Sequence, residues 1–366
     1  MSEMPDRLRD DVPKPVVLET SRKTAGWGLF TPHPEPVLTV QPGARVTIKT
    51  VSWVGATAPE GPVAYFEALG VPADQVLPEL LEVASMPRPK GSSGHVLTGP
   101  IGIEGAEPDD VLEVRVLDVT PRVPYGVHIT GPHCGVLGDL LERRSTRLFR
   151  LDPEQRFYPF GGGIEIPFRP FAGIMAVAPP TSAGTVSANP PDRWGGNMDF
   201  RDLVAGSTLY LPVFQPGAMF YTGDTHGAQG HGEVSQTAIE HSMAVTVQFL
   251  LHKGGALKFP RAEDADHVWC MGIHENLDEA MRIANREVVD YLIAVMGMRD
   301  DEAYRFSGLL ADFKVAEAVN GNKVIVAEVH KDRLRPYWAE PTFPLWAADC
   351  TSPPVLPFRT VPQAPS

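Results

Sequence analysis

Apolar and polar positions alternate along much of the first half of this chain, and the alternation predicts strands. In ARVTIKTVSW the apolar positions are Val46, Ile48 and Val51, and in VLEVRVLDV Leu112, Val114 and Val116 are separated by Glu113 and Arg115. Side chains on an extended backbone point alternately to opposite faces, so each run reads as a half-buried strand of an antiparallel sheet. GIMAVA near 173 to 178 continues the series, followed by STLYLPV, AMFYT and SMAVTVQFLLH. In the last of these Val245, Val247 and Phe249 share one face, with Thr246 and Gln248 on the other.

The helical period is firm once. In ENLDEAMRIANREVVDYLIAVMG a stripe of Leu277, Ala280, Met281, Ala284, Val288, Leu292 and Val295 keeps the 3.6-residue spacing. Asn276 with Glu279 forms a capping-box signature at its start, and Gly297 is placed to end it. The run from 65 to 85 is broken by Pro72 and Pro78, which limits it to short helices. FKVAEAV and KVIVAEV flank Asn320, Gly321 and Asn322, and Asn-Gly accepts the positive φ of a tight turn, so these two runs predict a hairpin.

Punctuation sets the organisation. The chain of 366 residues holds 37 prolines and 34 glycines, spread along it as many short strands joined by turns require. Its length favours more than one ordinary core. The stretch PPTSAGTVSANPPDRWG at 179 to 195 is the natural boundary, giving a β-rich part at 1–180 and a second at 181–340 that carries the long helix and the hairpin. A proline-rich tail is expected at 341–366.

A formal net charge of −13 repels nucleic acid and anionic membranes, so neither is an expected partner. Cys134, Cys270 and Cys350 lie far apart and outside any CxxC spacing, which predicts neither a disulfide framework nor a cysteine zinc site. The N-terminal MSEMPDRLRDDVPKP has no secretory pattern and no segment approaches a membrane span; the expected location is the cytoplasm.

Candidate chemistry concentrates between Trp194 and Glu240. Asp199, Asp224, His226, Gln229, His231, Glu233 and Glu240 fall there among Gly195, Gly196, Gly223, Gly227, Gly230 and Gly232. Asp224 and His226 are two apart, so an extended backbone projects both to one side, and carboxylate with imidazole suits a divalent ion. The bland alternative is a polar loop whose acids cap turns. Asn197 and Asp199 again share a face, as ligand and hydrogen-bond donor or as helix caps. His95, in SGHVLTGP, is either a fourth ligand or the partner of a backbone carbonyl. Glu240 sits among apolar residues and must be paired if buried, while His231 need not join the site.

Nucleophile arrangements are poorly represented. There is no G-x-S-x-G elbow, and KGSSG at 90 to 94 lacks the context of a Ser-Ser-Lys amidase signature. Cys134 adjoins His133, and side chains of sequence neighbours diverge, so the thiol is expected to pack.

These residues together resemble the acetamidase/formamidase family of small-amide hydrolases. GGNMD at 195 to 199, AGSTLYLPVFQPGAMF at 205 to 220, GDTHGAQGHGE at 223 to 233 and TAIE at 237 to 240 carry the resemblance, joined by HVLTGPIGIEGAEP at 95 to 108 and RPFAGIMAVAP at 169 to 179. Two positions depart from it: His231 stands where the family usually has an acid (QGDGE), and Asp109 alters a GAEPGD motif. The resemblance implies a mainly β, jelly-roll-like sandwich with an added α+β part, homo-oligomeric assembly, and hydrolysis of short amides to carboxylate and ammonia.

On this reading Asp199, Asp224, His226 and His95 gather a divalent metal, zinc or else calcium or manganese, that activates water. Glu233 is the expected proton carrier, and Gln229 or Asn197 the expected donor to the oxyanion. The alternatives are opening of a lactam or other cyclic amide, metal-free hydrolysis at the same loop, and a metal-stabilised sandwich that binds a small ligand without catalysis.

Overall fold

In the computed structural model, residues 14 to 338 are described; the proline-rich segment and Cys350 lie outside them. The chain is mainly β, as its alternation predicts. A nine-stranded sheet runs in the order Val16–Glu19, Arg45–Lys49, Met243–His252, Val111–Pro121, Thr208–Pro212, Arg261–Glu263, His267–His274, Lys323–His330 and Ala311–Glu317. A second sheet has six strands: Gly195–Asn197, Phe171–Ala176, Phe220–His226, Val96–Ile103 and Ala25–Trp27 in order, with Leu38–Val40 also paired to Val96–Ile103. Both draw strands from either side of residue 180.

The sheets face one another across the main core. Val46, Ile48, Val114, Val116, Val245 and Val247 of the larger sheet meet Leu97, Ile101, Ile174 and Phe220 of the smaller, and the rings of Phe220 and Phe249 lie 5.0 Å apart edge to face. Alternation in Met243–His252 is realised: Met243, Val245, Val247 and Phe249 are buried and the residues between them half-buried. Val111–Pro121 departs from it, since Val111 and Glu113 are buried beside Leu112 and Val114. Glu113, expected on the wet face, is 3% exposed and paired with His252, Nε2 to Oε2 at 2.5 Å. The outer face there lies close to a second apolar cluster, to which the adjoining Val111 and Tyr210 belong together with the Leu277–Ala294 helix.

That helix starts at its predicted cap, with Asn276 Oδ1 accepting from Glu279 N at 3.1 Å. The reciprocal half of the box is absent: Asn276 N donates to His274, and the Glu279 carboxylate turns to Arg282. Gly297, at φ +68°, terminates it. The buried face is Ala280, Ala284, Val288, Tyr291 and Leu292, so Leu277 and Met281 of the predicted stripe flank the contact and stay exposed. A further helix, Asp300–Leu310, carries no comparable sequence signal. Ala311–Glu317 and Lys323–His330 form the predicted antiparallel pair, with Gly321 at φ +90° between them. Among the described residues no helix is long and apolar enough to cross a membrane.

For function, what matters is that the smaller sheet is covered on both faces. Every residue of Val96–Ile103, Phe171–Ala176 and Phe220–His226 is buried. The face away from the main core meets the helices Pro62–Ala68 and Pro78–Ala84 and the paired strands Tyr125–Thr130 and Ser145–Arg150. Polar side chains on these strands must therefore find partners inside the protein.

Candidate active site

Asp224 and His226 end the central strand Phe220–His226. Its ladder to Phe171–Ala176 pairs Ala172 with Thr225 and Ile174 with Gly223 but skips Gly173 and Asp224, where Asp224 takes φ +49°. Asp199, just past Gly195–Asn197, has φ +44°, and Glu233, in the glycine loop, has φ +44°. Left-handed backbone is uncommon for any residue with a Cβ and more so for glutamate than for aspartate, and such conformations gather at functional sites. Gly173 supplies the room: a Cβ there would lie 2.3 Å from Asp199 Oδ1 and 2.9 Å from His226 Cε1.

His226 is the hub, fully buried, with carboxylates at both ring nitrogens. On one side Nε2 lies 3.5 Å from Asp224 Oδ1 and 3.4 Å from Glu240 Oε2. On the other, Nδ1 lies 3.8 Å from Asp199 Oδ1 and 3.0 Å from Gln229 Oε1. Gln229 fixes the tautomer: its Nε2 donates to the Asp199 carbonyl at 2.8 Å, so its Oε1 must accept, and His226 Nδ1 carries the proton. In the neutral ring, Nε2 then presents its lone pair to Asp224 and Glu240. Gln229, expected to serve an oxyanion, orients His226.

Each acid also has an outer support. Trp53 Nε1 donates to Glu240 Oε2 at 2.9 Å, and Ala238 N to Glu240 Oε1 at 3.1 Å. Asn320 Nδ2 donates to Asp199 Oδ2 at 2.6 Å. His95 Nε2 stands 3.5 Å from Asp224 Oδ2, its other nitrogen bonded to Ser93 Oγ at 2.9 Å. Asn320 is delivered by the hairpin turn, where the buried carboxylate of Glu317 accepts from the backbone of Val319 and Asn320. Asn197 is buried beside the cluster, its Oδ1 without a partner. His231 stays outside it: Nε2 pairs with Asp202 at 3.3 Å and the ring stacks on Phe200.

Four buried carboxylates thus gather around one imidazole, and their ion pairs among the described residues run only to histidines. Burial first, then the neighbouring charges, shifts the groups. Asp199 rises to about 7 and Glu240 to about 7, both partly held down by His226. Glu233 is driven well above the usual range by burial and by Asp199. Asp224 goes the other way: burial would raise it, but the imidazoles of His95 and His226 hold it well below its usual value. His226 rises well above its usual value, burial being outweighed by Glu240 and Asp224, whereas burial lowers His95 despite Asp224.

The donor set fits a divalent cation. Ligand atoms of Asp224, His226 and Glu240 lie within 4.8 Å of one another, as do those of Asp199, His226 and Glu233. Asp199 Oδ1, Asp224 Oδ1 and His226 Nε2 are buried without a hydrogen-bond partner. An uncompensated buried charge costs several kcal/mol, so a cluster like this calls for protons or a cation, and oxygen with imidazole donors suits zinc or manganese. The structure brings Glu240, one of the acids singled out in the sequence, to Asp224 and His226 as a candidate ligand.

A cavity of about 420 Å³ reaches the residues that support the cluster. Trp53, His95 and Asn320 line it, and each touches a different acid. Cys134, expected to pack, is half-buried on its wall. A second cavity, about 540 Å³, is lined by Phe149, Phe160, Gln229, His231 and Glu233.

A two-sheet β protein with a buried carboxylate–imidazole cluster close to a cavity is a β-sandwich with a candidate small-molecule site. The chain belongs to the Acetamidase/Formamidase family, whose sequence model matches residues 82–184 and 180–326. It is similar to the acetamidase of Mycolicibacterium smegmatis, 27% identical over 44% of this chain and 54% of that one, and to the formamidase of Methylophilus methylotrophus, 28% identical over 45% and 53%. The chain therefore spans about half the length of the curated relatives it matches. Over nearly its whole length it resembles a crystal structure of an acetamidase from Yersinia enterocolitica, with a TM-score of 0.72 and 29% identity, covering 88% of this chain and 94% of the other.

Proposed function

We propose that this protein hydrolyses a short amide to a carboxylate and ammonia, with Asp224, His226 and Glu240 holding a divalent metal, Asp199 beside them and His95 closing the Asp224 side. The observation that carries the proposal is the set of unpartnered buried donor atoms, Asp199 Oδ1, Asp224 Oδ1 and His226 Nε2, close to a cavity open to a substrate. A bound divalent ion there would polarise the amide carbonyl and acidify water.

The side chains divide the remaining work. Glu233, beside Asp199, takes a proton from water as the water oxygen bonds to the amide carbon. It then delivers that proton to nitrogen as the C–N bond breaks, because ammonia leaves far more readily than amide anion. Its burial keeps the proton from escaping to solvent between the two steps. The side-chain amide of Asn197 is the donor for the oxyanion, a contact worth about 3 kcal/mol when preorganised. Gln229 holds His226 in the tautomer that turns Nε2 towards Asp224 and Glu240. The acidic charge and dispersed cysteines support a cytoplasmic setting, and the family resemblance supports a homo-oligomer.

The test is ammonia release from formamide, acetamide and propionamide before and after chelation, with metal content measured on the same sample. Release that falls with the metal and returns on its replacement is expected. Release that persists without metal would remove the ion from the reaction, and no release from any amide would overturn the proposed activity.

A further inference from the structure

Resting on that reading of the site, we infer that the preferred substrate is an amide with a carboxylate at its far end, an amic acid, and that Arg144 receives that carboxylate. The cavity close to the acids is much larger than the smallest amides need. Its 420 Å³ equals about fourteen water volumes, several times an acetamide, and lies in the range that holds whole small-molecule ligands. Its inner end is the reactive end, where Trp53, His95 and Asn320 meet Glu240, Asp224 and Asp199.

The rest of the lining is uncharged except at one point. Thr57, Ile129, Asn189, Gln236 and Thr237 carry no formal charge, no acid among the described residues lines the cavity, and Arg144, exposed at its wall, supplies a permanent positive charge. The neutral amides are already in use: Asn189 Nδ2 donates to the Asn320 carbonyl at 3.3 Å, and Gln236 Oε1 accepts from Gly135 N at 3.1 Å. Arg144, by contrast, forms no ion pair among the described residues, although the protein has 45 acids against 32 Lys and Arg.

The backbone holds the arginine at this position. The pair Tyr125–Thr130 and Ser145–Arg150 ends with Thr130 opposite Ser145, so the next residues, Gly131 and Arg144, meet directly. A Cβ on Gly131 would lie 2.8 Å from Arg144 Cα, and the missing side chain lets the two backbones close.

Charge then orients the ligand. Arg144 attracts a carboxylate to its own part of the cavity, which leaves the neutral carbamoyl group pointing at the reactive end. The reaction balances as hydrolysis: water oxygen bonds to the carbamoyl carbon, the C–N bond breaks, and the products are a dicarboxylate and ammonium. A site for plain acetamide has no use for an outer cation.

The experiment compares malonamate, succinamate and glutaramate with propionamide and butyramide, in wild type, Arg144→Gln and Arg144→Lys, by ammonia release and by calorimetric binding. Wild type is expected to favour one amic acid over butyramide by at least 10-fold in kcat/KM. Arg144→Gln should raise KM for that amic acid at least 10-fold with kcat little changed, leave butyramide within twofold, and be partly rescued by Arg144→Lys. Equal losses on charged and neutral amides, or no preference for any amic acid, would overturn the inference while leaving amide hydrolysis standing. If no amide releases ammonia the proposed activity fails, and calorimetry decides the binding claim separately: amic acids must bind at least 10-fold more tightly than neutral amides, and only with Arg144 present.

Discussion

Replacing Gly173 with alanine should disable the site while sparing the fold. The new methyl would sit 2.3 Å from Asp199 Oδ1, 2.8 Å from the Asp224 carbonyl and 2.9 Å from His226 Cε1, where ordinary contact begins near 3.4 Å. Asp199 must therefore retreat by about 1 Å, but Asn320 grips its other oxygen and its backbone is already at φ +44°. The Asp224 carbonyl belongs to the backbone of a buried strand and yields even less. Overpacking by one methyl costs about 1–3 kcal/mol, a melting-temperature drop of about 2–10 °C, which a protein of this size survives. A displacement of 1 Å among reacting groups costs about 100-fold in rate. The assay pairs kcat/KM and metal content with thermal melting, using Gly26→Ala as the control, since a Cβ there meets nothing within 4 Å. Full turnover and full metal content in Gly173→Ala would refute the geometry assigned to Asp199 and His226.

Two further outcomes follow from the same geometry. Glu233→Gln keeps a side chain of the same shape but cannot accept a proton, so turnover should fall at least 100-fold while metal content holds; turnover near wild type would remove Glu233 from proton transfer. Asp202 should set part of the acid limit of stability. Burial would raise its pKa, but the hydrogen bond and charge of His231, then Lys314 and Arg169, hold it well below the usual carboxylate value. Its contribution is therefore present above the unfolded value near 3.9 and lost as pH falls through the lower folded value. Asp202→Asn should cost about 2 kcal/mol at pH 7 and progressively less below pH 4, read from denaturant melts; an unchanged gap between the variants across that range would contradict the assignment.

Local signals reached the elements that local physics determines. Asn276 marks the helix start because its side chain caps the first turn, and the alternation of Met243–His252 survives because one of its faces is sealed. Asp199, Asp224, His226 and Glu233 stood out because polar ligand types amid glycines have little structural use. What stayed hidden depends on pairings between distant segments. Asn320 reaches Asp199 across 121 positions and Trp53 reaches Glu240 across 187, distances over which no periodicity carries information. Glu113 looked like a solvent-facing residue because the cluster near it is built by a helix more than 150 residues later. Gly173 resembled any strand glycine until the groups that fill the space above it were in place.

The left-handed backbone at Asp199, Asp224 and Glu233 has an evolutionary price tag. Each such residue lowers the stability of the bare fold by about 1–3 kcal/mol, repaid only while the carboxylates have a ligand or a reaction to serve. A descendant released from selection for the chemistry would gain stability by losing these side chains, and Glu233 should go first, to glycine, since glutamate is less at ease at φ +44° than aspartate or asparagine. The wear on that one codon is thus a gauge of whether a lineage still uses its site.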